Sequence, residues 1–147
     1  MSNIRITIAT QSDAVLLASQ LRECDRLEVL ASGSQSVRAA VVDSVRLSLW
    51  AYAFWLGERL VCIVGVAAQS IMCRIGVPWA LGTDVMDELP REVLRFSPRV
   101  IALMQADFDV LVNYVHARNR RSIRWLKWCG FTVAAPVGQF CHFSMGD

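Results

Sequence analysis

Residues 113–133 read "NYVHARNRRSIRWLKWCGFTV", and the order of residue types in this stretch decides the fold. The preceding residues run into it as "DVLVNYVHA" (109–117), a strand-like segment. An asparagine, Asn119, leads into a basic helix, "SIRWLKWC" (122–129), that carries two tryptophans. Gly130 stands where helices commonly stop, and "FTVAAPV" (131–137) resumes as strand. Arg118, Arg120, Arg121, Arg124 and Lys127 fall within this stretch with no acid among them.

Working outward, the chain has 147 residues, enough for a single domain, 1–147, with a real core. Hydrophobic residues make up 54%, so much apolar surface must be buried or held against a partner. No run reaches the 18 or so apolar residues of a membrane helix. The most apolar region, 47–68, is broken by "GER" at 57–59, a hairpin signal. The opening "MSNIRITIAT" lacks the basic start and apolar core of a secretory signal, so a cytosolic protein is expected. The five cysteines (Cys24, Cys62, Cys73, Cys129, Cys141) form no CxxC and no zinc spacing with histidine, which leaves reduced core thiols and no metal site as the expectation.

The net charge of +2 decides nothing, but its distribution does. All cations except Lys127 are arginines, which favour planar, bidentate contacts to carboxylates or phosphates. Nothing outside 118–127 extends the basic patch into a groove, so nucleic-acid binding is not expected.

Upstream, "IRITIA" (4–9) alternates like a strand, and Thr10, Ser12 and Asp13 offer capping chemistry for a helix through Cys24. A second short helix, "DRLEVLAS" (25–32), ends at Gly33, and Ser34 or Ser36 caps a third through about Val45. Apolar segments on either side of Gly57-Glu58 form an antiparallel hairpin. A loop, "QSIMCRIG" (69–76), precedes a strand, "VPWALGT" (77–83). Residues 84–108 read as helix with two start signals, one before Pro90 and one at Ser97-Pro98. "QFCHFSM" (139–145) is the closing strand. The order β-α-α-α-β-β-β-α-β-α-β-β predicts a mixed α/β sheet rather than a βαβ series.

This order, together with Asn119, Ser122, Leu126, Gly130 and Phe131 at their spacing, resembles the last block of the GNAT superfamily of acyl-CoA-dependent N-acyltransferases. The pieces "LRECDRLEVLASG" (21–33), "PWALGTD" (78–84), "NYVHARNRRSIRWLKWCGF" (113–131) and "PVGQFCHFSM" (136–145) are similar to a GNAT-like family of tailed phages and prophages. Part of that family is described as the small internal virion protein of short-tailed phages. The resemblance implies a GNAT-like sheet with splayed central strands, the segments 77–81 and 110–116 lying parallel and diverging near Gly82 and Asn119. It implies acetyl-CoA as the possible cofactor, held by Leu81, Gly82, Arg95, Arg99, Asn119, Arg120, Ser122 and Arg124. Asp84 and His116 are the catalytic candidates, and Glu28, on a face shared with Arg22 and Asp25, is the candidate for the amine acceptor. It also implies a place in the host cytoplasm or the virion interior, with a phage or host protein or a second copy of the chain as possible partners.

Two departures from the family pattern bear on activity. The glycine-rich loop that cradles the cofactor pyrophosphate is missing, because no glycine occurs between Gly82 and Gly130. The tyrosine that commonly serves as general acid is replaced by Leu126, which transfers no proton. Two readings therefore compete: an N-acyltransferase with a degenerate pyrophosphate loop, and a structural or partner-binding protein that keeps the fold. The five tryptophans suit a partner-binding surface as well as a core.

Overall fold

The computed structural model describes residues 3–33 and 36–146. The elements are β1 (Ile4–Ile8), α1 (Gln11–Gln20), α2 (Glu23–Ala31), α3 (Val37–Leu47), β2 (Trp50–Leu56), β3 (Arg59–Ser70) and β4 (Ile75–Gly82). A 3-10 turn (Asp84–Glu88) leads to α4 (Pro90–Asp107), and β5 (Val110–His116), α5 (Arg120–Cys129), β6 (Thr132–Val133) and β7 (Phe140–Gly146) follow. The helix ends have local causes. Thr10 and Asp13 form a reciprocal capping box at the start of α1. Ser36 caps α3, while Ser34 lies outside the described residues. Gly130 ends α5 at φ 104°, a left-handed conformation that favours glycine.

The seven strands form one sheet in the order β1-β2-β3-β4-β5-β7-β6, and only β4 and β5 run parallel. Helices α1 and α3 cover one face over Ala14, Leu17, Val41, Ala53 and Ile63. Helices α4 and α5 cover the other, over Val66, Ile101, Met104, Leu111, Leu126 and Phe143 on one side and Phe54 and Leu89 on the other. Among the described residues no helix is long and apolar enough to cross a membrane.

Several boundaries differ from those read in the sequence; the first helix, expected through Cys24, ends at Gln20. The expected loop at 69–76 shrinks to a tight turn, with β3 running to Ser70 and β4 starting at Ile75. Only Thr132 and Val133 of the segment 131–137 pair as strand. Ser97-Pro98 starts no helix: α4 begins at Pro90 and passes through Pro98. The Ser97 hydroxyl donates to the Val93 carbonyl and accepts from Trp125 Nε1 at 2.9 Å, so a residue type common at caps serves inside the helix.

Pairing between β4 and β5 is confined to Ile75 with Val110 and Gly76 with Leu111. The last paired residue of β4 is therefore six residues short of the expected point near Gly82. At the vertex, Phe108 lies against Gly76 so closely that a Cβ there would stand 2.6 Å from the ring. The Arg74 carbonyl accepts from the Asp109 and Val110 amides, and its guanidinium donates to Asp109. Beyond the vertex Pro78 has no N–H to offer, and the Asn113 amide reaches across to the Pro78 carbonyl at 2.7 Å in place of a ladder bond.

Candidate functional site

The parted strands bound a cavity of about 220 Å³ that passes through the sheet. On the α2 side its lining includes Asp25, Glu28 and Tyr114; on the other side it runs beneath α4 and α5 along Phe96, Val100 and Trp125. The backbone of β4 brings polar groups to an otherwise apolar opening. Its odd-numbered residues face the β3 ladder, as the Thr83 amide does in donating to the Val61 carbonyl. By the period of two, the peptide groups of Pro78, Ala80 and Gly82 face the opening. No β5 residue pairs with Ala80.

Carboxylates from α2 satisfy the far ends of both strands. Asp25 Oδ2 accepts from the Gly82 amide at 2.7 Å, and the Arg22 amide donates to the Gly82 carbonyl at 2.9 Å. Glu28 accepts from the His116 amide at 2.9 Å and from Asn119 Nδ2 at 3.0 Å. Asp25 and Glu28 stand three apart, one turn of a helix, and so fall on the same face. The break at Leu21 and Arg22 separates α1 from α2, but it leaves Arg22 at the α2 N-cap, beside Asp25.

Instead of the surface ladder suggested by charges three apart, Arg22 and Asp25 form a buried pair at 3.1 Å. Burial works against the Arg22 charge, yet Asp25 beside it, with Cys24 and Asp87 contributing, raises its pKa overall. Arg22 also meets Asp87 at 3.0 Å, and Asp87 in turn meets Arg121 at 2.8 Å. This chain of charges ties α2, the 3-10 turn and α5 together across the mouth of the opening.

The expected site residues divide into those at the opening and those away from it. Leu81, Asn119, Ser122 and Glu28 line the cavity. Gly82 stands at its edge with its amide already engaged by Asp25. Asn119 is doubly used, since its Oδ1 accepts from the Ser122 amide at 3.3 Å to cap α5. Arg95 and Arg99 are exposed and lie over the Phe96 ring at 5.0 and 5.7 Å, while Arg120 and Arg124 are exposed on α5. Asp84 is exposed on the 3-10 turn and is not among the lining residues. His116 turns its ring to Phe140, and its Nδ1 accepts from the Arg118 amide at 3.1 Å, so only its backbone meets the opening.

Asn113 and Tyr114 were not singled out from the sequence. Asn113 shares a strand face with Leu111 and Val115, both buried, and a polar residue in that phase was the available signal. Tyr114 carries no such mark; its ring is largely exposed and sits edge-on to His142.

The cysteines are free thiols. Burial pushes Cys62 up to about 12 and Cys129 up to about 11. At neutral pH both are protonated and poor nucleophiles. Among the described residues no group of three or more His, Cys, Asp or Glu side chains is arranged to hold a metal ion. Four of the tryptophans, Trp50, Trp55, Trp79 and Trp125, donate their indole N–H to side chains within the fold, and Trp128 is exposed.

No protein-family model matches the sequence, and no curated protein sequence matches it. Solved structures do match. The GNAT domain of S. lividans PAT superposes with a TM-score of 0.75 at 14% identity, covering 97% of this chain and 89% of that one. An acetyltransferase from Thermus thermophilus gives 0.70 at 16% identity over 99% of each chain. The PaiA N-acetyltransferase of Thermoplasma acidophilum, solved in complex with coenzyme A, gives 0.69 at 12% identity, again over 99% of each. The chain has the GNAT fold, a mixed α/β architecture with one mostly antiparallel sheet.

Proposed function

We propose that the chain binds an acyl-CoA thioester in the opening between β4 and β5 and transfers the acyl group to an amine. The observation that carries this reading is the cavity passing through the sheet beside the unpaired β4 edge at Ala80. An extended pantetheine arm carries amides that suit such an edge, and a through-sheet opening lets thioester and amine meet from opposite faces. The amine nitrogen attacks the thioester carbonyl carbon, the new C–N bond forms and the C–S bond breaks. The nitrogen gives up one proton, and the thiolate leaves and takes one from solvent, since Leu126 supplies none.

Of the carboxylates, Glu28 is the one set at the opening on the α2 side without a guanidinium partner among the described residues. It is the group placed to receive the amine proton, directly or through water. Asp84 and His116 would need to turn toward the opening to take that role. Asn119 and Ser122 would meet the pantetheine arm, with Leu81 and Gly82 forming the wall opposite. Arg95 and Arg99 on α4 and Arg120 and Arg124 on α5 would take the phosphates in place of the missing loop, each charge-assisted bond contributing about 1.5–3 kcal/mol.

A second reading rests on a different observation. Asp25 and Glu28 already occupy the donors at both strand ends, and Asp87 bridges the mouth. A protein that keeps the fold without catalysis, such as a phage internal virion protein, would have this internally satisfied opening. Calorimetric titration with acetyl-CoA at low and high salt separates the two. The enzyme reading expects binding that weakens with salt and falls further in an Arg120→Ala, Arg124→Ala variant, because exposed cations are screened. Wild-type protein that ignores millimolar acetyl-CoA would leave the non-catalytic reading standing alone.

A further inference from the structure

The two edges of the sheet differ in what they offer a further strand. At one edge β6 contributes only Thr132 and Val133, with Pro136 close behind. A short edge strand beside a proline gives a neighbour little to pair with. At the other edge β1 pairs with β2 from Ile4–Leu56 to Ile8–Tyr52 without a bulge, and it holds no proline or lysine. Its one cation, Arg5, lies over the Trp55 ring of β2 at 5.2 Å.

The backbone of β1 can be assigned residue by residue. The Ala9 amide donates to the Ala51 carbonyl at 2.9 Å, so these two residues form a hydrogen-bonded pair. Antiparallel pairs alternate, which makes Thr7–Ala53 and Arg5–Trp55 hydrogen-bonded pairs as well. The N–H and C=O groups of Ile4, Ile6 and Ile8 therefore point outward, and among the described residues nothing bonds to them. The side chains of these isoleucines share the sheet face of Tyr52 and Phe54, with Ile6 45% and Ile8 76% exposed.

We infer that β1 pairs antiparallel with β1 of a second copy, about a twofold axis at Ile6, and so joins two sheets into one. The symmetry of the strand itself selects this occupant. With Ile6 opposite its own counterpart, Ile4 stands opposite Ile8 of the second copy, and each such pair exchanges both N–H···O bonds. All the isoleucines then meet on one face. On the other face Arg5 stands opposite Thr7, so no like charges oppose each other. A contact of this kind uses the same edge in both copies, and the blunted β6 edge stops growth at two. One strand pair makes a small interface, so the dimer forms at high micromolar concentration and comes apart on dilution.

The test is sedimentation equilibrium at high micromolar concentration on wild-type protein, on Ile6→Lys, on Ile6→Glu, and on an equimolar mixture of the two variants. The wild type is expected to show the mass of two chains and each variant alone the mass of one. The mixture should return to two, because position 6 faces itself and unlike charges then meet. Should either variant fail to fold, Ile8→Pro removes an outward N–H without touching a bond to β2, and it should halve the mass likewise. A wild type of single-chain mass overturns the inference and leaves this edge to a strand of a different protein. A mass above two chains, a dimer that every variant leaves unchanged, or a mixture that stays single overturns it too.

Discussion

The two faces of the sheet are built to different standards. Under α1 and α3, Ala14, Leu17, Val41, Ala53 and Ile63 are wholly enclosed. In the clusters under α4 and α5 only Val66 reaches that state, and the cavity lies among the rest. Small residues explain part of the contrast, because Ala14, Ala51 and Ala53 let the first pair of helices approach the strands closely. On the other face Phe54, Phe96, Phe131 and Phe143 hold α4 and α5 off the sheet. One face supplies stability, and the other keeps space. The seam between them, at the parted ends of β4 and β5, is held by charge.

The seam gives the largest expected effect. Asp25→Ala strips Arg22 of its buried partner and the Gly82 amide of its acceptor, and should cost about 3–5 kcal/mol in chemical denaturation. A loss smaller than the packed-face variant below would show that Asp87 alone can hold Arg22. Leu17→Ala, on the enclosed face, should cost about 3 kcal/mol, because its neighbours cannot close the space left behind. Glu28→Gln keeps the shape but weakens the bonds from the His116 amide and Asn119, at about 1–2 kcal/mol. If Glu28 takes the amine proton, the same change should reduce turnover far more than it reduces stability, and a parallel loss of both would assign it to structure alone. Val93→Ala, on the face with the cavity, should cost only about 1 kcal/mol, since the methyls removed already border empty volume. Equal penalties for Leu17→Ala and Val93→Ala would erase the contrast between the faces.

What could be read in the sequence was local. Asn119 capping α5 and Gly130 ending it lie within one short helix, so their spacing alone located the element. The order of strands and helices followed from periodicity and turn residues, and with it the fold. The length of the β4–β5 ladder was not legible, because it is set by Phe108 against Gly76 and by Asn113 reaching Pro78, contacts between residues 32 and 35 apart. Glu28 was noticed for its spacing from Arg22 and Asp25, but its partner His116 lies 88 residues on. Ser97-Pro98 misled for a related reason. The pair has the chemistry of a helix start, and only tertiary contact with Trp125 shows that it sits in the middle. The catalytic candidates Asp84 and His116 were placed by their position at strand ends, a criterion that does not fix where a side chain points.

The two residue pairs that join β4 to β5 have a mechanical consequence. A sheet fastened so narrowly is two plates sharing one hinge: four strands carrying α1 and α3, and three strands carrying α5. Backbone hydrogen bonds resist separation only at the Arg74 and Gly76 end, and elsewhere the plates are linked by side chains. Plates so joined are expected to open as separate cooperative units. Amide exchange at Val64 and Leu81 would then report one plate and exchange at Val115 and Cys141 the other. A ligand lying along both strand edges would slow exchange in the two plates together, and would act as the missing rungs of the ladder.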